Sequence, residues 1–215
     1  QDGDGYGIFG QRLDSQGQKL GPELQINTYT TSNQDNHAIS RLSDDTVLVV
    51  WESDDQDGVW AGIFGQRLNS EGQKLGPELQ INTYTTSSQR FPAISRLTED
   101  TVLVVWQSYS QDSDEYGIFG QRIDSLGQKL GPELQINTYT TNHQIKPAIS
   151  RLTNDTVLVV WQSLGKDGSD EGIFGQQVDS LGQKLGPELQ MNSYTTGDQF
   201  DPAVGRLTND TVLVS

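Results

Sequence analysis

The chain repeats itself every 55 residues without a single slip in register. Ile-Phe-Gly-Gln begins at Ile8, Ile63, Ile118 and Ile173, and Thr-Val-Leu-Val at Thr46, Thr101, Thr156 and Thr211. The nonapeptide Gly-Gln-Lys-Leu-Gly-Pro-Glu-Leu-Gln recurs unchanged from Gly17, Gly72, Gly127 and Gly182. A strict period of this length marks a supersecondary unit that cannot bury its apolar face alone and stacks on copies of itself.

Each unit alternates short apolar segments with turn chemistry. Phe91 to Leu97 reads as a strand, and the β-branched run Thr101 to Trp106 as a strand buried on both faces. Gly117 to Ile123 and Glu133 to Asn137 supply two more, bounded by Ser, Asp, Gly and Pro. No segment holds a helical period, so the expectation is an all-β chain. Four strands in about 50 residues is the signature of a propeller blade, and a stacked β-solenoid is the competing architecture.

The expected fold is a four-bladed β-propeller with blades at 37–82, 92–137, 147–192, and 202–215 completed by 1–27. Pairing of the terminal half-blades would close the ring and remove sheet edges that invite aggregation. The alternative is a dimer that joins two such chains into an eight-bladed ring, so both monomer and homodimer stay open. Phe9, Phe64, Phe119 and Phe174, with Trp51, Trp106 and Trp161, are expected between blades.

A net charge of -15 repels phosphate backbones and anionic headgroups, which argues against nucleic acid and membrane partners. With no cysteine there is no disulfide framework and no thiolate site. No apolar run is long enough to span a bilayer as a helix, and no signal peptide is visible.

The pattern Gly-Ile-Phe-Gly-Gln-Arg-Leu-Asp-Ser-x-Gly, followed by Glu-Leu-Gln-Ile-Asn-Thr and Val-Leu-Val-Val-Trp-Gln-Ser, resembles tandem repeats of large exported bacterial proteins. The resemblance covers the whole chain. It implies a propeller-like repeat in an adhesin or other surface protein, with calcium as a candidate stabiliser, and it carries no catalytic residues.

Two sets of residues are candidate sites. Asp2, Asp57, Asp112 and Asp167 occupy one repeat position in Asp/Gly-rich loops, with Asp4 and Asp114 nearby, and calcium takes several hard oxygens from such loops. The alternative is a solvated turn, since Asp and Gly favour turns without any metal. Tyr29, Tyr84, Tyr139 and Tyr194, followed by Gln34, Gln89, Gln144 and Gln199, could stack on and hydrogen-bond a sugar, or could seal the crevices between blades.

His37 and His143 sit in polar loops, and no carboxylate pair stands out from the repeated background. The departures from repetition look mild: Gln177, Met191, Gly205 and Ser215. The expectation is therefore a non-enzymatic, extracellular or cell-surface interaction module whose partner is a protein or a glycan. A multivalent lectin, a polysaccharide-active enzyme and a structural spacer are the alternatives.

Overall fold

The computed structural model describes residues 5–43, 45–58, 60–168 and 170–215. Its strands are β1 (Phe9–Gly10), β2 (Leu24–Gln25), β3 (Gln34–Ser43), β4 (Thr46–Ser53), β5 (Gly62–Asn69), β6 (Leu79–Gln80), β7 (Gln89–Arg96) and β8 (Thr101–Tyr109). They continue as β9 (Tyr116–Asp124), β10 (Leu134–Gln135), β11 (Gln144–Arg151), β12 (Thr156–Leu164), β13 (Glu171–Asp179), β14 (Lys184–Gln190), β15 (Val204–Arg206) and β16 (Val212–Val214).

Three antiparallel meanders of four strands form, β3 to β6, β7 to β10 and β11 to β14. The half-units at either end are two-stranded sheets, β1–β2 and β15–β16. The all-β propeller class read from the repeat therefore holds, with three complete blades and a fourth represented by its halves. No ladder joins β16 to β1 among the described residues.

The second strand of each blade is the apolar run, and it carries the core. Trp51, Trp106 and Trp161 are fully buried, each paired across the ladder with Phe64, Phe119 or Phe174. Trp106 packs against Leu48, Val50, Ile63 and Ile81 of the preceding blade, as Trp161 packs on Leu103, Val105, Ile118 and Ile136. Truncating a Trp in such a seam to Ala costs roughly 3–5 kcal/mol.

The repeated nonapeptide stitches each blade to the one before it. Lys129 Nζ donates to the carbonyl of Asn82 at 3.0 Å, and Lys184 does the same to Asn137 at 2.9 Å. The Glu133 carboxylate accepts the N–H groups of Thr83 and Tyr84, and Glu188 those of Thr138 and Tyr139. Arg67 Nη1 donates to the Ser125 carbonyl and Arg122 Nη1 to that of Ser180. Burial in this joint lowers the pKa of Lys129 and Lys184 from the ordinary lysine value.

The first strand of each complete blade carries a β-bulge with one left-handed residue, Asn36 (φ 46°), Phe91 (54°) or Lys146 (52°), and Asp201 (55°), ahead of β15, repeats the conformation. Such a conformation is costly for residues other than glycine, and for a Phe most of all. It turns a backbone N–H away from the sheet and toward the neighbouring blade. The repeat aims that donor at a buried side chain on the second strand of the preceding blade, and this is where the units begin to differ.

Candidate functional site

The four left-handed residues and the residues after them gather at one mouth of the assembly. Asn36, His37, Phe91, Pro92, Lys146, Pro147, Asp201 and Pro202 line an opening of about 430 Å³. The bulges are equivalent by repetition, but their side chains are not: an amide, a phenyl ring, an ammonium and a carboxylate face one another. Lys146 and Asp201 form an ion pair.

Beneath the opening, Gln107 Oε1 accepts the N–H of Lys146 at 2.9 Å and Gln162 Oε1 that of Asp201 at 3.3 Å. At the equivalent position stands Glu52, whose Oε2 accepts the N–H of Phe91 at 3.0 Å. Its other oxygen pairs with Arg90 Nη1 at 3.0 Å, and Arg90 Nη2 reaches Asp54 at 3.4 Å. The Glu52 side chain is only 3% exposed.

Asp35 lies directly opposite Glu52 across the β3–β4 ladder and hydrogen-bonds to it. Burial, then repulsion by Glu52, the hydrogen bond to Glu52 and repulsion by Asp54 push the Asp35 carboxyl from 3.8 up to about 6, against the opposing pull of Arg90. Three carboxylates thus surround one guanidinium at a single blade junction. The corresponding positions elsewhere hold Arg90, Ile145 and Phe200 for Asp35, Gln107 and Gln162 for Glu52, and Tyr109 and Leu164 for Asp54.

This cluster corrects the expectation that no carboxylate pair breaks the repetition. The signal was available: Glu in place of Gln at position 52, with Asp at 35 where the other units carry Arg, Ile or Phe. The two residues are far apart in sequence, and only the strand register sets them face to face.

The residues singled out from the sequence fall elsewhere. Asp2 and Asp4 lie outside the described residues. The carboxylate of Asp57 accepts from Gln80 and Asn82, that of Asp112 from Gln135 and Asn137, and that of Asp167 from Gln190. Each packs so closely on Gly62, Gly117 or Gly172 that a side chain there would collide with it, which accounts for the repeated Asp and Gly as a structural pair. Asp114 accepts from the N–H groups of Asn142 and Glu115.

Among the described residues no group of three or more His, Cys, Asp or Glu is arranged to hold a metal ion.

Gln34, Gln89 and Gln144 are fully buried, with Oε1 accepting from Asn27, Asn82 and Asn137. They complete the inter-strand loops from inside, and Gln199 accepts in the same way from Asn192. Tyr29, Tyr84 and Tyr139 are half-buried in blade crevices, and Tyr194 is exposed. Beside Tyr139, Lys166 pairs with Glu188 and lies 4.2 Å above the Phe174 ring, and burial lowers its pKa to about 8.

No family model matches this sequence, and a search of curated proteins returned no match. The architecture is that of solved β-propellers. One is a Penicillium chrysogenum α-L-arabinanase, crystallised with arabinobiose, at TM-score 0.52 and 15% identity over 81% of this chain and 49% of that one. Another is an α-L-arabinofuranosidase from Lactobacillus brevis, at TM-score 0.50 and 10% identity over 81% of this chain and 62% of that one. The chain thus spans about half to three-fifths of the length of these structures.

At such identities the likeness establishes the fold. Together with the carboxylate cluster, it overturns the expectation of a non-enzymatic adhesion module: these solved propellers are an arabinanase and an arabinofuranosidase, and a cluster of carboxylates breaks the repetition beside the Phe91 bulge.

Proposed function

We propose that the chain is a polysaccharide-active hydrolase that works beside the opening lined by Phe91, Lys146 and Asp201. The observation that carries this reading is the Asp35–Glu52 pair, the one junction where the repeated glutamine is replaced by a carboxylate and faced by another. A buried carboxyl with a raised pKa beside other carboxylates is a usual basis for an acid role.

Asp35 holds its proton up to about pH 6 and gives it to the oxygen of the departing sugar. Asp54 lies diagonally across the strands, a separation of roughly 7–8 Å between backbones. With Asp54 acting as base, a water attacks the anomeric carbon as its own proton passes to Asp54 and the glycosidic bond breaks with inversion, the outcome of separate acid and base carboxyls acting on opposite faces. Burial first, and then the charge and hydrogen bond of Glu52, which is itself pinned by Arg90 and the Phe91 N–H, raise the Asp35 carboxyl.

Phe91 offers a ring face at the opening, and Lys146 and Asp201 offer hydrogen bonds to hydroxyls. The names of the fold neighbours favour arabinan or a related neutral polymer, and a polymeric substrate favours an extracellular or cell-surface location. The test is reducing-sugar release from arabinan and other neutral polysaccharides, with the anomer formed first read by NMR. Turnover that survives in both Asp35→Asn and Asp54→Asn, or an α/β outcome showing retention, defeats this mechanism; no cleavage of any polymer defeats the hydrolase reading.

A further inference from the structure

The large exposed side chains are sorted by face. Every exposed aromatic lies at the carboxylate end of the blades: Tyr6, Trp60, Phe91, Tyr109, Tyr194 and Phe200. The exposed aliphatics, such as Leu126, Leu181 and Leu207, lie in other turns and strands. Solvation alone gives no reason for this segregation, because either kind of apolar surface costs about the same per unit area in water.

Three of the aromatics sit around the catalytic junction. Trp60 is 53% exposed on the loop that follows Asp54, where its carbonyl accepts the Asp55 N–H at 3.3 Å. Phe91 is 38% exposed at the opening, its N–H on Glu52. Tyr109 is 41% exposed at the position in the next blade equivalent to Asp54, held edge-on by Tyr116 at 5.0 Å. Tyr116 lies 6.0 Å from the His143 ring, which is itself fixed by Glu115 at 2.9 Å. Trp60 has no aromatic counterpart, since Gly5, Glu115 and Asp170 stand at its position in the other units.

We propose that Trp60 and Tyr109 are sugar-stacking subsites on either side of the carboxylate junction, so that the site takes an internal stretch of a neutral polysaccharide rather than a terminal sugar. This rests on the opening beside the carboxylate junction being a glycan site. Trp60 and Tyr109 belong to adjacent blades, and packed sheets lie roughly 10 Å apart, so rings on the two blades are spaced for more than one sugar unit. Flat, partly exposed rings match the apolar faces of sugars, and the charge of -15 repels uronic-acid polymers.

Trp60 makes its own reporter, because the other three tryptophans are fully buried and beyond the reach of a quencher. The experiment is acrylamide quenching of the uncleaving Asp35→Asn chain with arabinose, arabinohexaose or a galacturonate hexamer. Arabinohexaose is expected to protect the fluorescence at least twofold, with no protection by arabinose or the acidic hexamer. By calorimetry Trp60→Ala weakens hexasaccharide binding about tenfold and Trp60→Phe much less, the scale of one stacked ring.

Polysaccharide turnover by the unaltered chain without hexasaccharide protection of Trp60 overturns the subsites and leaves the hydrolase reading standing. Protection without turnover upholds the subsites and removes the catalytic assignment. Equal protection by arabinose overturns the internal-chain claim, and neither protection nor turnover removes both readings.

Discussion

The junction between the first and second complete blades and the junction between the second and third are built on the same backbone. In each, a left-handed bulge residue offers its N–H to a buried side chain on the preceding blade. Gln107 meets it with an amide oxygen and Glu52 with a carboxylate oxygen, at nearly the same distance. The structural task is therefore accomplished by glutamine, and the charge at Glu52 is surplus to folding. A surplus buried charge that also needs Arg90 to neutralise it is hard to explain by stability, since an ion pair out of water rarely repays its desolvation.

Making the two junctions alike should have the largest effect. Glu52→Gln keeps an acceptor for the Phe91 N–H, so the melting temperature should stay within about 4 °C, the shift worth roughly 1 kcal/mol in a chain of this size. Polysaccharide turnover near pH 6 should nevertheless fall about 100- to 1,000-fold, because Asp35 keeps its burial but loses the charge and hydrogen bond of Glu52 that raise its pKa further. The falling limb of the rate against pH, set near 6 by Asp35 in the unaltered chain, should move to lower pH.

The reverse exchange tests the same contrast through stability. Gln162 is 4% exposed, faces Ile145 across the ladder and donates to Glu171, so Gln162→Glu buries a charge with no guanidinium beside it. Urea denaturation should show a loss of roughly 3 kcal/mol at pH 8, shrinking toward pH 5 as the new carboxyl takes up a proton.

Asp35 should also leave a mark on stability. Its folded pKa of about 6 lies above the unstrained 3.8, so the folded chain binds this proton more tightly than the unfolded one. The associated stability is fully present below the lower value and is lost as the pH climbs through the upper one. Asp35→Asn should flatten that part of the curve, with the variant gaining on the parent chain above pH 6 in urea titrations. The smallest effect belongs to the loop aspartates: Asp57→Asn, which turns an amide toward Gln80 and Asn82, should cost about 1 kcal/mol equally with calcium or with a chelator.

The sequence carried the fold in its period, and the burial of Trp51, Trp106 and Trp161 follows from the β-branched run around them. Repetition also masks the site. The Asp57 and Gln34 positions recur because they close turns and loops in every blade. The catalytic candidates instead occupy single departures that look conservative one at a time. Glu for Gln is a one-atom change, and nothing local to position 52 shows that Asp35 and Arg90 converge on it. The strand ladder and the contact between blades create that meeting. The left-handed bulge, which aims the Phe91 N–H into the cluster, has no recognisable signature in a Phe-Pro dipeptide.

The lysine and glutamate of the nonapeptide have a genetic consequence as well as a mechanical one. Each unit bears on its own 55 residues both the hooks that grasp its predecessor and the carbonyls and N–H groups that its successor will grasp. A gene segment duplicated or deleted in whole periods therefore inherits matched couplings on both flanks. Array length can drift by recombination while every new seam arrives ready-made, and a lone point change such as Glu52 can be tried in one copy as its siblings preserve the scaffold.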